Sequence, residues 1–92
     1  MHIVIMGCGR VGSTLSHILE DRGVSIAVID RNSEAFRRLG SSFKGEKITG
    51  NGFDRAVLTQ AGTEHADAFA AVSSGDNSNI ISARVAREVF GV

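Results

Sequence analysis

Apolar residues recur along the chain in two rhythms, short unbroken runs and a spacing of three to four. Residues 2–6, His2-Ile3-Val4-Ile5-Met6, form the first run, and its lack of polar alternation predicts a parallel strand covered on both faces. Val11, Leu15, Ile18 and Leu19 then repeat at helical spacing, with Gly23 placed as the stop. A second strand is predicted over residues 24–29, ending at Asp30. Asn32 can cap a helix carrying Ala35, Phe36 and Leu39 on one face, and Gly40-Ser41-Ser42 follows as loop. Lys47-Ile48-Thr49 is a short third strand. Asp54 caps a further helix with Val57, Leu58 and Ala61 inward and Gly62 at its end. Residues 68–72 make the fourth strand, and Ser73-Ser74-Gly75-Asp76 turns into a last helix with Ile81, Val85 and Val89 in register.

Strands alternating with helices imply an α/β fold, a three-layer sandwich with a parallel sheet between helices. The link between the first strand and its helix identifies the type. Gly7-Cys8-Gly9-Arg10-Val11-Gly12 is G-x-G-x-x-G between a strand and a helix, and Asp30 ends the next strand eighteen positions beyond Gly12. Gly7 allows the tight turn, Gly9 clears the approach of a pyrophosphate to the backbone, and Gly12 brings helix and sheet close together. Phosphates would sit on the unpaired N–H groups at the helix start. This is a Rossmann-type half with expected strand order 3-2-1-4. Its ligand crevice lies beyond the carboxyl ends of the strands, among Gly7 to Gly12, Asp30, Gly50-Asn51-Gly52 and Ser73 to Asp76.

Composition narrows the partners. Ninety-two residues make one small domain, 1–92, with a modest core. Ten basic residues balance ten acidic ones, so no excess charge draws the chain to nucleic acid. Cys8 is the only cysteine, which rules out an internal disulfide. No apolar stretch is long enough for a signal peptide or a bilayer span, so a cytoplasmic chain without direct membrane insertion is expected.

The candidate residues each carry two readings. Arg10 places a cation at the positive end of a helix dipole, a conflict that a bound phosphate resolves, or it points into water. Asp30 can accept both hydroxyls of an adenosine ribose and repel a 2′-phosphate, favouring NAD over NADP, or it helps to cap the next helix; neighbouring Arg31 weakens the case against NADP. ADP or ATP would satisfy the same groups. Asn51 contacts adenine or serves a turn whose residues accept positive φ. Ser73 and Ser74 offer hydroxyls and N–H groups to the crevice, though Ser74 or Asp76 can equally cap the last helix. Cys8 reads as a small residue in a tight turn, with a redox role as the alternative. His2, His17 and His65 are scattered without ligand spacing, so no metal is assigned. No nucleophile, base and orienting group converge, and no catalytic residue is expected.

Ile3 through Gly12, Val28-Ile29-Asp30, Leu58-Thr59-Gln60-Ala61-Gly62 and Ser73-Ser74-Gly75-Asp76-Asn77-Ser78-Asn79-Ile80 together resemble the N-terminal domain of the regulators of potassium conductance, in the form found in Trk potassium-uptake regulatory subunits. The similarity covers essentially the whole chain. It implies a cytoplasmic regulatory subunit at the inner face of the membrane, partnered with a membrane potassium transporter subunit. Such regulators assemble as dimers or larger homo-oligomers and respond to NAD, NADH, ADP or ATP. Family nucleotide positions carry over to Gly7, Cys8, Gly9, Arg10, Val11, Asp30, Ser73 and Ser74. Many members have Gly-Asp where this chain has Gly50-Asn51, which removes that carboxylate. The resemblance also implies two further strands beyond Val92, so the domain reads as truncated. The fourth strand is then an open edge, and self-association through that edge or the last helix is expected. The competing class is the cofactor-binding half of an NAD-dependent oxidoreductase.

Overall fold

A computed structural model describes residues 1–73 and Gly91. Strands β1 (His2–Met6), β2 (Ser25–Asp30), β3 (Glu46–Thr49) and β4 (Ala68–Ala71) form one parallel sheet in the order β3-β2-β1-β4. This is the expected order, and β1 lies at its centre. Val4 stands opposite Ala27 on one side and Phe69 on the other. The last helix, with Ile81, Val85 and Val89, and the turn from Ser74 to Asp76 lie outside the described residues.

The unbroken apolar runs are explained by two cores. Val4 and Met6 of β1, Ala27 and Ile29 of β2 and Ile48 of β3 face one side, where they meet Leu58 and Ala61. Ile5, Ile26 and Val28 face the other, against Phe36, Leu39 and Phe43. Side chains alternate across a strand, so a sheet covered on both faces needs an apolar residue at every position.

Helix α1 (Arg10–Asp21) differs from the periodicity reading in which face it buries. Val11 and Ile18 are 63% and 47% exposed, while Gly12, Ser13 and Ser16 are the buried positions. Leu15 and Leu19 pack half-buried on the core. Close approach is the cause: a β-carbon on Gly12 would collide with the Gly7 carbonyl. Small residues must therefore face the sheet where the helix begins. The two serines satisfy themselves on the preceding turn, Ser13 Oγ donating to Gly9 O at 2.7 Å and Ser16 Oγ to Gly12 O at 2.6 Å. Gly23 ends the helix with φ +79°, as expected. The Glu20 carboxylate accepts from the amides of Lys44 and Gly45 at 2.8 and 3.2 Å, tying the last turn to the loop before β3.

The segment after Asn32 is helical but of 3-10 type, over Ser33–Leu39. Asn32 caps it, accepting from the Glu34 amide at 3.0 Å. Three residues per turn set Phe36 directly above Leu39, and both are buried. Helix α2 (Arg55–Gln60) on the opposite face follows its expectation: Asp54 accepts from the Ala56 amide at 2.8 Å, Leu58 is buried, and Gly62 closes it with φ +77°. A 3-10 turn over Thr63–His65, absent from the sequence reading, connects it to β4.

Two of the three histidines serve the scaffold. His2 spans the amino ends of the sheet, Nε2 donating to Ala61 O and Nδ1 accepting from Ser25 Oγ, each at 2.8 Å, a tautomer dictated by the carbonyl being an acceptor only. His17 stacks edge-on against Phe43, with ring centroids 6.4 Å apart. His65 lies beside Glu64 on the surface.

Candidate functional site

At the carboxyl ends of the strands a cavity of about 1050 Å³ opens between the glycine loop and the residues that follow β2, β3 and β4. The topology thus brings together Gly7 to Val11, Asp30, Arg31, Asn51 and Ser73, which are separated in sequence. Gly12 stands behind the loop, and Ser74 lies outside the described residues.

The three loop glycines have different physical reasons. Gly7 adopts φ +110°, and a β-carbon there would lie 2.6 Å from Ser73 N, so the turn must pass hard against the end of β4. Gly12 lies against Gly7 itself. Gly9 has ordinary extended dihedrals and no atom within 4 Å of where its β-carbon would be. Packing among the described residues does not require a glycine at position 9; the space it leaves is in the cavity wall.

Asp30 anchors the loop. Its Oδ2 accepts from the Cys8 amide and its Oδ1 from the Asn32 amide, each at 2.8 Å. The capping alternative is realised in this indirect form, since Asp30 holds the residue that caps the 3-10 helix. A carboxylate offers about four acceptor positions, so these two bonds leave capacity for hydroxyl donors in the cavity. Arg10 begins α1, which has no acidic residue in its first turn, and it is exposed with no ion pair among the described residues. The electrostatic conflict seen in the sequence is therefore present in the fold.

Cys8 is completely buried. Burial, reinforced by the Asp30 carboxylate, pushes its thiol up from the ordinary value of 9.0, against smaller opposing effects of Arg38 and Lys47. A protonated, inaccessible thiol is a poor nucleophile, which favours the turn-residue reading over the redox one.

Gly50-Asn51-Gly52 corrects an expectation. Neither glycine adopts positive φ, nor does Asn51. Gly50 is small because the Val57 side chain occupies its flank, 2.5 Å from where a β-carbon would stand. Gly50 N continues the sheet ladder to Asp30 O at 3.0 Å, and Asp54 N closes the turn on Asn51 O at 3.1 Å. Asn51 is exposed at the cavity.

Sequence reasoning missed Glu34, Arg38 and Phe53, all of which line the cavity. Arg38 had no local signal, because only the path of the 3-10 helix brings it back toward the loop. Phe53 did have one: a lone aromatic between a glycine turn and a helix cap at the end of a strand. Among the described residues no group of three potential metal ligands occurs, and no helix is long and apolar enough to cross a membrane.

A parallel sheet in this order, with a glycine loop at the start of its first helix and a crevice at its carboxyl ends, defines a Rossmann-type nucleotide-binding fold. The chain belongs to the TrkA-N domain family, whose model matches residues 3–92. It is 70% identical over 92 residues to the Trk system potassium uptake protein TrkA of Streptomyces coelicolor, covering all of this chain and 41% of that protein. A Trk system potassium uptake protein TrkA homolog of Pyrococcus abyssi is 37% identical over 89 residues, 97% of this chain and 39% of the homolog. The chain thus spans about two fifths of the length of these relatives. Among solved structures, the TrkA-N domain of inner membrane protein ybaL from Escherichia coli matches with TM-score 0.76 and 25% identity over 94% of this chain and 63% of that one. The Shewanella denitrificans Kef CTD in AMP-bound form shares the fold, with TM-score 0.84 and 16% identity, over 98% of this chain and 54% of that one.

Proposed function

We propose that this chain is the nucleotide-sensing domain of a regulatory subunit of a potassium uptake system, binding NAD or NADH, or else ADP or ATP, at the glycine loop. The observation that carries this reading is Gly9, a glycine that packing among the described residues does not require, set in the wall of a cavity beside Arg10, which has no ion pair among the described residues. Phosphates would take the open backbone of the loop and the Arg10 guanidinium, and Asp30 would receive ribose hydroxyls while still holding Cys8 and Asn32. Ser73, and Ser74 beyond the described residues, would contact the ligand from the side of β4. Arg31 would face its ribose, and Asn51 its base. The names of the relatives support the potassium-uptake role. In that role the chain works in the cytoplasm, at the inner face of the membrane through a transporter subunit, as part of a homo-oligomer.

The domain senses and does not catalyse; what supports this is that, among the described residues, no nucleophile and base meet in the cavity. Calorimetric titration with NAD, NADH, ADP and ATP is the test, with the recovered nucleotide checked by chromatography. Saturable binding of at least one, returned chemically unchanged, is expected. No binding of any would refute the nucleotide site. Steady turnover that vanishes in Arg10→Ala would transfer the chain to the oxidoreductases.

A further inference from the structure

The four phenylalanines that the structure describes divide in a telling way. Phe36 and Phe43 are buried in the core on the α1 side, and Phe69 packs half-buried on the other. Phe53 does neither: it is 37% exposed, belongs to neither core, and lines the cavity. Leaving an aromatic ring in water forgoes burial that would otherwise add to stability. A residue just before a helix cap often packs its side chain onto the fourth helical residue, here Leu58. Leu58 is already sealed in the core at 0% exposure, and that role does not account for a ring left more than a third open.

The backbone beneath this ring is firm. Asp54, which follows it, is bonded through its amide to Asn51 O at 3.1 Å and through its carboxylate to the Ala56 amide at 2.8 Å. Gly50, three residues before it, is held to the sheet through Asp30 O. Phe53 is therefore presented to the cavity from a fixed base.

We infer that Phe53 is the platform on which the base of a purine nucleotide stacks. The inference rests on the nucleotide reading above, which sets the base beside Asn51, and extends it by naming the side chain that would hold the base there and the contact through which it would do so. The anchors follow the order of the sheet: the glycine loop after β1 for phosphate, Asp30 at the end of β2 for ribose, Phe53 after β3 for the base. Arg31 and Arg38 also line the cavity, and guanidinium groups stack on π-faces as readily as they pair with anions. At Val72 and Ser73, on the β4 side, the cavity lining contains no aromatic ring among the described residues. A dinucleotide would thus lie with its purine toward β3.

The chain contains no Trp or Tyr, so Phe53→Trp introduces a single emitter at the site. AMP is the probe, since it carries one phosphate, one ribose and one purine. Phe53→Ala is expected to weaken AMP binding about tenfold, the usual consequence of losing an aromatic stack on a base, with the thermal midpoint of the free protein little changed. Phe53→Trp is expected to keep the parent's affinity and to lose emission as AMP saturates. AMP binding in Phe53→Ala as tight as in the parent, or unaltered emission of Phe53→Trp at saturation, would overturn the platform and leave the nucleotide site standing. A parent chain that binds none of AMP, ADP and NADH would overturn both.

Discussion

Gly9 and Gly12 are the same residue type three positions apart, yet the fold gives them opposite reasons to lack a side chain. A β-carbon on Gly12 meets the backbone of Gly7, which cannot yield without opening the turn. One on Gly9 meets nothing among the described residues. Gly12→Ala is accordingly expected to destabilise the domain by about 3 kcal/mol, as overpacking against rigid backbone does. Gly9→Ala should shift stability by no more than about 1 kcal/mol, the scale of a cap substitution, while lowering nucleotide affinity about tenfold or more. Chemical denaturation and calorimetry on the two variants separate the roles. Loss of binding only in proportion to loss of folding in both would refute the division.

Among the elements, α2 shows how a short helix is held. Six residues are too few to be stable alone, so its two anchors carry it. The Asp54 cap is exposed and local, and Asp54→Ala should cost about 1 kcal/mol. Leu58 is completely buried between β1, β2 and β3, and Leu58→Ala should cost about 2–5 kcal/mol through the cavity it leaves. Urea titration would resolve this ordering. A reversed ranking would mean that the helix is held by its end and not by its face. In α1 the balance differs, since its sheet-facing positions are glycine and serine and its larger apolar residues lie half-buried or outside. Periodicity alone could not show this, because the pattern of large side chains says where bulk lies and not how near the helix comes to the sheet.

For the whole molecule, a small domain with a modest core leaves room for ligand to matter. Nucleotide at a hundred times its dissociation constant adds about 2.7 kcal/mol to the bound state. For a chain of this size that corresponds to a rise in Tm of about 10–20 °C. Differential scanning fluorimetry with a nucleotide found to bind by titration checks this directly. A nucleotide that binds by calorimetry without raising Tm would have comparable affinity for the unfolded chain, which a site assembled from four separated loops excludes.

The amino-acid sequence determined the strands and the glycine loop, because these depend on local propensity, on apolar runs and on where backbone must turn tightly, and the strand order followed from the fold type that the strand-helix alternation and the glycine fingerprint define. Asn32 and Asp54 were legible for the same reason, since a capping residue acts within a few positions of itself, and Asp30 was legible as the acidic residue that ends the second strand, whereas its bond to the Cys8 amide joins positions far apart and was not. The tertiary structure alone decided that α1 turns small residues to the sheet, that Gly50 is small to admit Val57 and not to adopt positive φ, and that the second helical segment winds as a 3-10 helix. It also decided that Arg38 returns to the cavity and that Phe53 stands in its wall outside both cores. Each of these depends on the distance between elements far apart in the chain, a quantity that no spacing within one segment encodes.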